Sequence, residues 1–149
     1  MTGGWADIEV EINDSVRGGT AQGVVTIRMK DESISVDEIY ANIRCSECVR
    51  LSNYRITTRD PDADEAFDTD TNYVDIDEDE RLYDEKVTVE GEVELDGGET
   101  RQFEFEFDIP EELPPSYQGR NASVEWSVFV GLDMKGNDPD SGWVKFTVS

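Results

Sequence analysis

Apolar side chains recur at every second position along most of this chain, and that period fits only extended backbone. The longest run is Ala122, Val124, Trp126, Val128, Val130, Leu132 and Met134. Before it, Phe103, Phe105, Phe107 and Ile109 alternate with Glu104, Glu106 and Asp108. A run of this kind buries one face and wets the other, as antiparallel sheets do. The same alternation carries Ala6, Ile8, Val10 and Ile12, then Val25, Ile27 and Met29. Ile39, Ala41, Ile43 and Cys45 follow, with Val49 and Leu51 in the same phase. Later come Val87, Val89, Val93 and Leu95, and finally Val144, Phe146 and Val148. Ile34 and Val36 lie in the opposite phase, so a bulge or kink is expected near Asp37 and Glu38. The tetrapeptide DGGE at 96–99 signals a hairpin. Helical periodicity is absent. Roughly seven to nine strands at hairpin spacing predict an all-β, immunoglobulin-like fold, a two-sheet antiparallel sandwich. One domain is expected over residues 1–149, with an acidic loop at about 60–82.

The Phe-rich run ends on "IPEELPPSYQG", residues 109–119. Proline donates no backbone hydrogen bond, so Pro110, Pro114 and Pro115 cannot sit inside a central strand. Residues before proline are pushed into extended geometry. Ile109, Leu113 and Pro114 are therefore expected to be extended but unpaired, a stiff crossing from one sheet to the other. Gly119 frees the backbone to turn before the next strand opens near Ala122.

That succession resembles the arrestin-like superfamily, which includes arrestin N-lobes and prokaryotic sporulation-control proteins. The matching residues are Phe103, Phe105, Phe107, Pro110, Leu113, Pro114, Ser116, Tyr117, Gly119, Leu132 and Asp133. "GGTAQGVVTIRM" and "ISVDEIYANIRC" are similar to the second and third strands of that family. Trp126 stands where the family has tyrosine, and the chain has length for one lobe where members commonly have two. The resemblance implies a protein-binding sandwich without catalysis: an interaction, scaffold or trafficking-type module. It carries over no binding residue.

Charge is the strongest global feature, with 36 acids against 13 bases and a net charge of −23. The Debye length is about 8 Å at physiological salt and about 3 Å at 1 M. Repulsion inside acidic clusters is thus large in dilute buffer and small in brine. The surface reads as salt-adapted, in the halophilic manner, or as an acidic face for a basic partner. Nucleic acid is disfavoured, because binding it needs a basic footprint. No apolar run reaches the roughly 18 residues of a membrane span. The start "MTGGWADIEV" lacks the basic and apolar regions of a secretory signal, so a cytoplasmic protein is expected.

Nothing in the sequence assembles into a catalytic constellation. Histidine is absent, which removes the usual general base near neutral pH. No cofactor is expected. Cys45 and Cys48 have no second ligand pair to make a zinc site, and three positions apart on a strand they face opposite sides. The acidic stretch 60–80 spaces Asp60, Asp62, Asp64, Asp68 and Asp70 like a calcium loop. However, Glu65 stands where such a loop needs glycine and Thr71 where it needs a bidentate glutamate. A solvated loop is the reading, with a loose cation site or a carbohydrate-binding surface module as the alternative. The Asn121 sequon reads as coincidence. Trp5, Phe129 and Trp143 fall on solvent-facing phases and are the candidate interface for a protein partner. Homodimerisation through an edge strand is the other mode considered.

Overall fold

The computed structural model describes residues 6–59, 69–135 and 138–149, with side chains described outside 52–59 and 69–76. The chain folds as β1 (Ala6–Ile12), β2 (Thr20–Met29), β3 (Ile34–Val36), β4 (Glu38–Arg59) and β5 (Thr69–Glu90). These are followed by β6 (Val93–Leu95), β7 (Thr100–Asp108), β8 (Tyr117–Gln118), β9 (Ala122–Asp133) and β10 (Asp140–Phe146). No helix occurs among the described residues, and none is long and apolar enough to cross a membrane.

Eight of the strands form two antiparallel layers, and β3 with β6 makes a separate two-stranded sheet. One layer is β1-β2-β7; the other is β10-β9-β4-β5, with β8 paired to the same side of β9 as β10. β1 lies against β10 and β7 against β5, so the layers face each other. Between them lie the residues that the period-two pattern assigned inward: Val25, Ile27, Ile39, Ile43, Trp126, Val128, Val130 and Leu132 are fully shielded from water. Each such aliphatic side chain contributes about 1.5–3 kcal/mol by leaving water. Phe105, Phe107, Phe146 and Trp126 form a chain of ring contacts across this core. The immunoglobulin-like sandwich expected from the alternation is the observed fold class.

The proline segment does cross between the layers, but not as an unpaired rod. The Ile109 N–H donates to the Gly19 carbonyl and its own carbonyl accepts from Gly18, whose φ of 75° is the left-handed geometry glycine tolerates. The chain then turns at residues 111–113, and Tyr117 and Gln118 rejoin the second sheet against Val124 and Ser123. The Trp126 indole Nε1–H donates to the Pro114 carbonyl at 3.0 Å, tying the crossing to the core. Ser116 fixes the other end, its Oγ accepting from the Val148 N–H and its N–H donating to the Val148 carbonyl.

One local expectation is narrowed and two are corrected. The phase change near Asp37 is a kink rather than a bulge, a bend that separates two strands. β3 pairs with β6, and β4 then begins in the other sheet. The 96–99 segment is a turn, with Gly98 at φ 77°, but it joins no hairpin, because β6 pairs with β3 and β7 with β2. The acidic segment is not all loop. Residues 69–82 belong to β5, held by backbone pairing to β4 as far as Arg59↔Thr69. β4 leaves β9 at Val49, so beyond that point β4 and β5 run on as a two-stranded ribbon about 30 Å long.

The turn after β6 is packed tightly. A Cβ on Gly97 would overlap the Asp31 carbonyl, whereas nothing lies within 4 Å of one on Gly91. Gly97→Ala is expected to cost about 1–3 kcal/mol by forcing backbone to shift. Gly91→Ala should be neutral. Denaturant midpoints at molar salt check the pair, and equal midpoints would contradict this packing.

Candidate functional site

The outward phase of the second sheet carries the aromatic residues that the core leaves over. Trp143 on β10 stands opposite Phe129 on β9, and their ring centroids are 5.3 Å apart. Tyr40 on β4 stands opposite Gly131, and its ring lies over that glycine, where any Cβ would collide with it. Tyr40 also stacks on Phe129, with centroids 6.5 Å apart. The result is an aromatic row across three strands. Trp143 is 42% exposed, and Phe129 and Tyr40 are half-buried.

Charges bracket this row. Lys86 on β5 sits 4.9 Å from the Tyr40 ring and 2.8 Å from Glu38. Hydrogen bonds from Lys86 and Thr88 hold the Glu38 carboxyl below its ordinary range, and the same contact raises Lys86. Burial raises the Tyr40 phenol, with the charge of Asp138 adding to it. Arg44, two turns of the pleat along β4, lays its guanidinium carbon 3.9 Å over the Trp143 ring. Its Nε is shut away from water with no acceptor.

A shallow depression of about 340 Å³ adjoins Arg44, lined among others by Arg50, Arg81, Ser46, Cys48 and Asp79. Arg50 pairs with Asp77 at 3.1 Å, Arg81 with Asp84 at 3.1 Å, and Lys145 with Glu125 at 2.9 Å. Five of the chain's 13 bases (Arg44, Arg50, Arg81, Lys86 and Lys145) therefore share this face. The outer face of the other sheet is different in kind. Asp7, Glu9, Glu11, Glu104, Glu106 and Asp108 lie there, and its one ion pair among the described residues is Arg28 to Glu9.

Of the residues singled out by sequence, Phe129 and Trp143 are brought together. Trp5, Asp60, Asp62, Asp64 and Asp68 lie outside the described residues. Asp70 lies on β5 opposite Thr58, with its side chain outside the described set. Cys45 and Cys48 face opposite sides as expected. Cys45 is in the core, where burial pushes its thiol up to about 11. Cys48 is on the outer face, where a hydrogen bond to Asp79 raises its pKa. Cys48, Asp77 and Asp79 could together offer three ligand atoms to a cation, but Arg50 already reaches both carboxylates. Tyr40 and Arg44 were missed. Both sit in the outward phase of β4, which sequence alternation marks only as wet.

The fold is a two-layer antiparallel sandwich whose second sheet carries an aromatic row on its outer face. The chain belongs to the arrestin family: the model of the arrestin (or S-antigen) N-terminal domain matches residues 12–149. No curated protein matches it. Among solved structures it is similar to the sporulation control protein Spo0M of Bacillus subtilis, with a TM-score of 0.63 at 19% identity. That likeness covers 98% of this chain and 50% of the Spo0M chain, so the chain spans half the length of that relative.

Proposed function

We propose that the protein is a non-enzymatic docking module of a salt-adapted cell, engaging protein partners in the cytoplasm through the outer face of the five-stranded sheet. The observation that carries this reading is the exposed Trp143, backed by Phe129 and Tyr40 on the outer face of the sheet. Exposed tryptophan beside arginine is the composition of interface cores, where charged residues are otherwise scarce. An arrestin-like scaffold supports a binding role, and the acidic surface supports work at high salt. A carbohydrate-binding role is the weaker reading. Sugar rings stack on open aromatic faces, and Arg44 already covers the face of Trp143.

Capture from a halophilic lysate at about 2 M KCl, where surface charge is screened, tests it. Proteins held by the wild type should be lost by Phe129→Ser/Trp143→Ser. They should be kept by Glu104→Gln, which alters the opposite sheet. Identical capture by all three forms would refute the assignment of this face.

A further inference from the structure

Arg44 stands opposite Ser127 in the β4–β9 register, and its side chain spans β9 to reach Trp143 on β10. The other four bases of the face are each held by a carboxylate, whereas Arg44 has no ion pair among the described residues. At the far end of β9 the exposed Asp133 likewise has no salt bridge among the described residues, and Asp138 and Asp140 stand near it beside Tyr40. Ser127 and Asp133 are six residues apart, about 20 Å along a strand. Midway between them lies Val130, flanked by Phe129 and Gly131, the positions opposite Trp143 and Tyr40 that hold the aromatic row. Among the described residues, an arginine with no ion pair stands at one end of the face, an acid with no salt bridge at the other, with Lys86 near it, and the aromatic row lies between them.

Resting on the docking-face reading above, we propose that the occupant of this face is a second copy of this chain. The two-fold axis lies in the interface and runs across the strands along the aromatic row. Rotation about it reverses the levels along each strand and keeps each strand opposite its mate. Arg44 of each copy, leaning over β9, then meets Asp133 on β9 of the other. Residue i meeting j while j meets i is the condition of an isologous contact. The opposite sheet cannot do this, because its acids would meet acids. Four strands by 20 Å give about 400 Å² per copy, about 800 Å² in all and below the roughly 1,200 Å² at which stable interfaces begin, so the dimer is weak and exchanges with monomer. High salt strengthens it by screening the charge of −23 on each copy.

Sedimentation velocity of the purified protein at 2 M KCl over a wide concentration range tests the proposal, with circular dichroism confirming that each variant is folded. A monomer–dimer equilibrium is expected. Arg44→Asp and Asp133→Arg should each weaken it about tenfold or more, and the double exchange should restore it. A monomer at every concentration overturns the proposal. So does a dimer indifferent to both single changes, which would be edge-strand association, or a double variant that fails to recover. Partner capture that depends on Phe129 and Trp143 without any self-association would overturn this inference and leave the docking face standing.

Discussion

Replacing Trp126 with alanine is expected to remove about 3–5 kcal/mol of stability and lower Tm by about 6–20 °C at molar salt. The indole is fully buried at the centre of the inner face, with ring centroids 6.0 Å from Tyr83 and 6.1 Å from Phe146. Truncation leaves a cavity that close-packed neighbours on two sheets fill only in part. It also strips the Pro114 carbonyl of its donor, loosening the crossing that joins the layers. Trp126→Phe keeps most of the ring and loses the hydrogen bond, so its cost should be smaller, about 1–3 kcal/mol. Trp143→Ala, on the exposed face, should be near neutral. Guanidinium denaturation, which at its own high ionic strength screens charge throughout, would order the three variants. A Trp126→Ala protein within 1 kcal/mol of wild type would refute the central packing role given to this residue.

What the sequence made legible was whatever one buried face imposes on spacing. Val124 to Leu132 alternate because one side of β9 is dry and the other is not, and all of these inward positions are buried. The proline crossing was legible for a related reason: missing donors forbid a central strand wherever they occur. Pairing was not legible. The 96–99 turn has glycines in place, yet β7 joins β2, some 80 residues back, a choice that no local signal encodes. The strand over 69–82 was hidden because its outer part runs beyond β9 and residues 77–81 are all exposed, so no apolar alternation marks them. Half of the aromatic and cationic face was hidden likewise. Tyr40 and Arg44 look like any outward residues until the β4–β9 register sets them beside Gly131 and Ser127. The Trp126 substitution appeared only as a departure from the family pattern. Its reason, a ring N–H that serves the crossing, needed the fold.

Transfer from 1 M to 0.01 M salt at neutral pH is expected to unfold the protein, with loss of β-sheet circular dichroism. The net charge is −23, and six acids lie on one sheet face against a single ion-paired arginine. Neighbouring acids of one phase, such as Glu104 and Glu106, are about 7 Å apart on a strand. At that separation each pair repels by about 0.5 kcal/mol in dilute buffer and by less than 0.1 kcal/mol at 1 M. The whole charge decides the outcome. Spread over spheres of about 19 Å folded and about 40 Å unfolded, it makes folding cost about 6 kcal/mol in self-repulsion at 1 M salt and about 23 kcal/mol at 0.01 M. Counterion accumulation trims the difference. Half of it still matches the roughly 5–15 kcal/mol by which domains are stable. The opposing ion pairs are exposed and contribute only about 0–1 kcal/mol each. The cause can be separated from a general effect of salt on apolar burial. Lowering the pH toward the isoelectric point near 4.1 shrinks the net charge, so mild acidification at 0.01 M salt should restore structure. A neutral osmolyte such as sucrose, which strengthens burial without screening charge, should restore less. A fully folded spectrum at 0.01 M salt and pH 7 would show that the acids are tolerated without screening, and the salt-adapted reading would fall.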